Sequence, residues 1–239
     1  MSVILRSVNQ RYPDTDKPVY KDFSAEFATG KIHAVLGASG SGKTTLLNII
    51  ADVCDYGGEV EKGEVSYVFQ EPRLIEDITV RRNLQLVLNS KIKDRLELKR
   101  KTEEALRFTE IERYADVYPD KLSGGERQRV SLARAFAYPS DVLLMDEPFV
   151  ALDYGVKTRL MKQFLDLNSR FPRTVIFVTH DVDEAIAIAD ELYLLQGSPS
   201  RLTHIAALED GQAERDVYAD KYVALKKSVE QILLSTSDK

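Results

Sequence analysis

The sequence predicts an α/β fold in which helices cover a mainly parallel sheet, with a helical segment inserted midway. Three observations carry that expectation. In the first and last thirds, short apolar runs of strand length alternate with stretches of helical period. A glycine-rich loop, Gly37 to Gly42, joins one such run to a helix. From Glu71 to Pro119 the chain is poor in glycine, rich in Arg, Lys and Glu, and helical in period.

The elements follow in order. Val3 to Val8 opens as a strand, and Phe23, Ala25 and Phe27 alternate with Ser24 and Glu26 as in a half-buried second strand. After a turn at Gly30 and Lys31, Ile32 to Leu36 is a short apolar strand that feeds the glycine loop. Thr44 to Asp52 reads as a helix with Leu46, Leu47, Ile49 and Ile50 on its buried face. Gly57, Gly58 and Gly63 punctuate the return to a strand at Val65 to Phe69. A helical subdomain is expected over about 71–136. Leu84 and Leu88, then Leu98 and Thr102, then Ala105, Phe108 and Thr109 mark its stripes. The charged run from Lys91 to Glu104 is a solvated helix face. Alternation then resumes, with helices expected at Glu126 to Ala137, Tyr154 to Asn168 and Val182 to Ala189. Strands fall at Val142 to Met145, Thr174 to Thr179 and Leu192 to Leu195. Residues 196–239 are a tail and terminal helix, with Tyr218, Tyr222, Leu225, Val229 and Ile232 at helical spacing.

At 239 residues, 44% hydrophobic and 30% charged, the chain is a single globular domain, neither collagen-like nor disordered. Its 33 basic and 38 acidic side chains leave a net charge of −5, which offers nucleic acid no basic field. The one cysteine, Cys54, cannot form an internal disulfide, so a reducing, cytoplasmic setting is expected. No apolar run nears the ~18 residues of a membrane span. The start, with Arg6 and Asn9 in its apolar stretch, is a poor leader peptide. A membrane role would therefore come through a partner.

Gly37-Ala38-Ser39-Gly40-Ser41-Gly42-Lys43-Thr44, followed by Thr45, fits the G-x-x-x-x-G-K-[ST] phosphate-loop pattern and lies between a strand and a helix. Glycines let backbone N–H groups approach phosphate oxygens with no Cβ in the way, and the helix start adds its partial positive charge. Lys43 supplies a full charge to the β- and γ-phosphates, and Thr44 offers a hydroxyl to Mg²⁺. Val142 to Met145 ends in Asp146 and Glu147, at the strand end where open α/β sheets hold ligands. Asp146 is the expected Mg²⁺ partner, and Glu147 the group that polarises an attacking water. His33, His204 and Cys54 read as structural.

Leu122-Ser123-Gly124-Gly125-Glu126-Arg127-Gln128-Arg129, with the phosphate loop before it and Met145-Asp146-Glu147-Pro148 after it, resembles the nucleotide-binding domain of ATP-binding cassette (ABC) transporters. That resemblance spans about Val3 to Leu195. It implies a core with a small antiparallel β subdomain and a helical subdomain, ATP and Mg²⁺ as ligands, and ATP hydrolysis coupled to transport. By position it implies that Tyr12 stacks on adenine, with Tyr20 a weaker competitor. Gln70 would reach Mg²⁺ and the attacking water, and His180 the γ-phosphate. Ala151-Leu152-Asp153 would link two active sites. Ser123, Gly124 and Gly125 would bind ATP held by a second chain, so a dimer of like subunits would sandwich two ATP molecules. Membrane permease subunits, and indirectly a solute-binding protein, are the implied partners, placing the chain on the inner face of the cell membrane. Phe69 to Leu74, Ile78 to Val80, and Asn83-Leu84 are similar to importers of nitrate, sulfonate and taurine. An exporter or lipid-extraction ATPase and a non-transport ABC ATPase stand as alternatives. Departures from the family pattern are Val150 before Ala-Leu-Asp, a short Lys43–Gln70 segment that implies a missing hairpin, and Glu76-Asp77 at the expected membrane-facing surface.

Overall fold

The apolar runs Ile32–Leu36 (β3), Val142–Asp146 (β6) and Thr174–Thr179 (β7) are buried at every residue, as central parallel strands covered on both faces must be. In the computed structural model of the chain, which describes residues 1–13, 15–212 and 215–237, they lie side by side. Val65–Val68 (β5), Glu191–Gln196 (β8) and Arg201–Ala207 (β9) complete a six-stranded sheet of order β5-β6-β7-β3-β8-β9. All its pairings are parallel except β8 with β9. A second sheet is antiparallel and three-stranded. It places Val3–Gln10 (β1) between Tyr20–Phe27 (β2) and Gly57–Glu61 (β4).

Helix Lys43–Ile50 (α1) packs between the two sheets, where Leu46, Leu47, Ile49 and Ile50 join Val35, Leu144, Val178 and the inner face of β1 and β2. The other face of the large sheet is covered by Tyr154–Arg170 (α5), Val182–Ile188 (α6) and Asp220–Ser237 (α7). Phe164, Ile186 and Val229 are among the buried contacts there. The helical insertion holds Val80–Leu88 (α2), Arg95–Phe108 (α3) and Gly124–Ala137 (α4) around its own core of Leu84, Leu106, Ile111 and Val130. Side chains fix where these helices start: Thr79, Asp94, Ser123, Asp153 and Asp181 each accept a backbone N–H of the first turn.

Two segments differ from the sequence reading. Gly57–Glu61 is a strand despite its glycines, because it pairs along β1 as an edge with little burial. Residues expected to form a polar tail around His204 instead make β9, an exposed edge strand registered on β8 from Glu191–Ala207 to Gln196–Arg201. His204 thereby sits opposite Tyr193 and hydrogen-bonds Glu191 at 2.7 Å. His33 is fully buried and meets the Ala28 carbonyl at 2.9 Å, in keeping with a structural role.

Candidate nucleotide site

Parallel strands bring their carboxyl ends to one edge of the sheet. The segments leaving β5, β6, β7 and β3 carry Gln70, Asp146 with Glu147, His180, and the glycine loop respectively. A cavity of about 480 Å³ opens there. Tyr12, Ser39, Gly40, Gly42, Lys43, Thr44, Thr45, Gln70, Asp146, Glu147 and His180 line it, with Val19 and Val150. Its size is that of a small-molecule site.

The loop is built as its residue types require. Gly40 and Gly42 take φ values of +77° and +93°, a region that L side chains rarely adopt. A Cβ at Gly37 would lie 2.7 Å from the Leu195 carbonyl oxygen, so the close approach of loop to β8 excludes any side chain. Lys43 is buried, and its ammonium donates to the carbonyls of Gly37 at 2.8 Å and Ala38 at 3.0 Å. Burial lowers its pKa, while Glu147 and Asp146 pull the other way. Asp146 is raised by burial, and by Glu147 beside it, against the hydrogen bond from Thr44 and the charge of Lys43.

Glu147 occupies left-handed backbone at φ +48°, which costs a non-glycine residue roughly 1–3 kcal/mol. Its N–H is tied to the Val178 carbonyl at 3.0 Å, and its carboxylate meets His180 Nδ1 at 2.9 Å. Strand β7 and the residue that follows it therefore hold the backbone and the carboxylate of Glu147 in one place. Tyr12, also in the lining, is 38% exposed, with its hydroxyl 3.0 Å from Thr45 Oγ1.

Ser123, Gly124 and Gly125 do not line this cavity. They open α4 elsewhere on the chain, where Ser123 caps the helix and Glu126 returns the bond to the Ser123 N–H at 2.8 Å. Gly125 runs close against Ala151: a Cβ there would lie 2.9 Å from its carbonyl oxygen. Gln128, buried in α4, donates to the Pro148 carbonyl at 3.0 Å. Helix α4 is thus joined to the segment that follows Glu147. Glu76, one of the departures noted above, pairs with Arg127.

A triphosphate needs a cluster of N–H groups, a buried ammonium and a cation partner, and this cavity offers all three on an α/β sheet edge. The site is that of a phosphate-loop nucleotide-binding protein. The sequence pattern of the ABC transporter family matches residues 20–150, more than half of the chain, and the chain belongs to that family. It is 36% identical over 223 residues to the sulfate/thiosulfate import ATP-binding protein CysA of a Synechocystis strain. That alignment covers 88% of this chain and 62% of the relative's length. The fold superimposes with a TM-score of 0.78 and 29% identity on the ATP-binding cassette MJ0796, solved as a dimer in a post-hydrolysis state with ADP and Pi. The match covers 86% of this chain and all of that one. A second dimeric structure of MJ0796, described as a bacterial ABC transporter cassette, matches equally. The α/β ABC cassette fold is therefore that of this chain, and among the described residues no helix is long and apolar enough to cross a membrane.

Proposed function

We propose that the chain binds and hydrolyses ATP as the energising subunit of an ABC importer. The observation that carries this reading is the convergence of Lys43, Thr44, Gln70, Asp146, Glu147 and His180 on one cavity. Lys43 exchanges its carbonyl partners for the β- and γ-phosphates, and the loop N–H groups bind the phosphate oxygens. Tyr12 provides the ring for adenine. Glu147 orients the attacking water and accepts its proton, held in aim by His180 and by its own constrained backbone. His180 also faces the γ-phosphate.

Mg²⁺ fits this donor set. The described residues hold no cluster of three His, Cys, Asp or Glu side chains that could cage a metal. One carboxylate, a hydroxyl and an amide, from Asp146, Thr44 and Gln70, suit an ion that keeps waters and phosphate oxygens as its other ligands. When bound, Mg²⁺ supplies charge neutralisation on those oxygens.

The exposed Ser123 and Gly124, with the half-buried Gly125, serve ATP on a second copy, so hydrolysis waits on dimer closure. The permease, and through it a solute-binding protein, completes the assembly at the cytoplasmic face of the membrane. A small oxoanion or sulfonate, of the nitrate, sulfonate or taurine kind, is the solute. The similarity to an ATP-binding protein named for sulfate/thiosulfate import supports import over export. Residues 71–136 act as the helical subdomain and 196–239 as the C-terminal segment of one ATPase domain.

Release of phosphate from Mg-ATP by the purified chain, with Lys43→Ala and Glu147→Gln beside it, tests this reading. Lys43→Ala is expected to lose ATP binding. Glu147→Gln is expected to bind ATP and lose turnover by on the order of 100-fold or more. Turnover by Glu147→Gln close to that of the wild type would remove Glu147 from the chemistry.

A further inference from the structure

Tyr20, the weaker candidate for adenine, is fully buried and off the cavity, so it has no ring to offer there; its hydroxyl and that of Ser200 instead reach the phosphate loop from behind. Tyr20, on β2 and fully buried, donates its phenol hydroxyl to the Gly42 carbonyl at 2.9 Å. Ser200, buried in the turn between β8 and β9, donates Oγ to the Ser41 carbonyl at 2.8 Å. The Ser200 N–H also binds the Val19 carbonyl at 2.8 Å, which joins that turn to the start of β2. Neither Tyr20 nor Ser200 lines the cavity. They converge on one residue, for a Cβ at Gly42 would lie 3.1 Å from the Tyr20 hydroxyl and 3.3 Å from Ser200 Oγ.

A trans peptide is planar, so a carbonyl and the N–H that follows it point in opposite directions. With the Ser41 carbonyl turned back to Ser200, the Gly42 N–H is turned toward the cavity that Gly42 lines. With the Gly42 carbonyl turned to Tyr20, the Lys43 N–H is turned the same way. The second plane is held twice, since the Gly42 carbonyl also accepts the Leu46 N–H at 2.8 Å as α1 begins. For the first, Ser200 is the partner among the described residues.

We propose that Tyr20 and Ser200 are positioning residues for the triphosphate, which orient two successive loop N–H donors before the ligand arrives and make the β8–β9 turn part of the nucleotide site. The inference rests on the nucleotide reading given above. Donors fixed in advance spare the reorganisation that a free loop would undergo on binding. A phenylalanine would fill the same buried space as Tyr20; among the described residues the oxygen's hydrogen-bond partner is Gly42. Burial raises the Tyr20 pKa far above its ordinary value, so the phenol remains a donor across the working pH range.

Tyr20→Phe, Ser200→Ala and the double variant each remove only oxygen atoms. Binding of Mg-ATP and of inorganic tripolyphosphate is measured by calorimetry, and kcat and KM for hydrolysis are measured alongside. Ser66→Ala is the comparator, because it removes another buried hydroxyl, 2.8 Å from Ser140 Oγ, away from the loop. Each single clamp variant is expected to bind both ligands ~3- to 10-fold more weakly, the loss of one hydrogen bond. KM is expected to rise while kcat at saturation stays within about twofold, and Ser66→Ala is expected to bind as the wild type does. Wild-type affinity in both single variants, a loss confined to kcat, or an equal loss in Ser66→Ala would overturn the proposal. Failure of the wild-type chain itself to bind either ligand would instead bring down the nucleotide reading, and this inference with it.

Discussion

Lys157, the fourth residue of α5, ties that helix to the segment that carries His180. Its ammonium pairs with Asp181 at 2.7 Å and with Glu184, whose side chain is only 1% exposed. Glu184 in turn accepts the Thr179 hydroxyl at 2.9 Å, and Asp181 caps α6. Lys157→Met keeps the aliphatic stem and removes the charge. It leaves a buried carboxylate without its cation, a change worth about 3 kcal/mol or more. For a chain of this length that corresponds to a fall in melting temperature of roughly 6–12 °C.

The deficit should depend on pH. Burial already raises the Glu184 pKa against the pull of Lys157. Without Lys157 it rises further, so the folded variant binds a proton that the unfolded chain gives up. Stability is then fullest below the unfolded carboxylate pKa and is lost as pH rises through the folded value. Thermal unfolding followed by circular dichroism at pH 5 and pH 8 is the assay, with the gap to wild type expected to be wider at pH 8. A gap under about 2 °C at both values, or one wider at pH 5, would refute the assignment of Lys157 as the counter-charge.

Gly42→Ala should weaken ATP binding well beyond any loss of stability. The residue sits at φ +93°, and a Cβ there would lie 2.8 Å from Val19 Cγ1. Equilibrium binding of a fluorescent ATP analogue measures it. Tyr12→Ala should cost ATP affinity ~5- to 20-fold through the lost ring, whereas Tyr12→Phe should stay near wild type; equal losses would point to the Thr45 hydrogen bond instead. Phe164→Ala, at a fully buried position stacked 5.5 Å from Phe136, should lower unfolding stability by about 3–5 kcal/mol in denaturant titration. Glu76→Ala, which removes only the half-exposed partner of Arg127, should change it by less than about 1 kcal/mol.

The central strands were legible because their burial on both faces demands unbroken apolar runs, and Thr174–Thr179 is bounded in the structure as the sequence predicts. Edge strands carry no such signal. In β9 only Leu202, Ile205 and Ala206 are even partly covered, so its residues read as a tail, and β4 is two glycines and three residues of mixed exposure. Of the residues lining the cavity, the glycine loop with Lys43 and Thr44, and Asp146 with Glu147 at a strand end, were legible from their motifs, while Tyr12, Gln70 and His180 came from the family resemblance and Val19 carried no signal. Tyr20 and Ser200 were not legible as partners of the loop. Their contribution is one hydroxyl each on a loop carbonyl, which depends on the sheet edge and the β8–β9 turn meeting in space. The strained backbone of Glu147 left no mark either, because nothing in Met145-Asp146-Glu147-Pro148 requires a positive φ.

In the proposed assembly the cavity and the Ser123-Gly124-Gly125 segment are two halves of one ATP site, completed only between two chains. Light scattering on Glu147→Gln, with and without Mg-ATP, measures that pairing, with Ser123→Arg added as a second substitution. The single variant is expected to go from the chain mass to twice that mass on adding ATP, and the double variant to bind ATP yet keep the chain mass. An ATP-bound Glu147→Gln that stays at the chain mass, or a double variant that still pairs, would rule out a site shared between two chains.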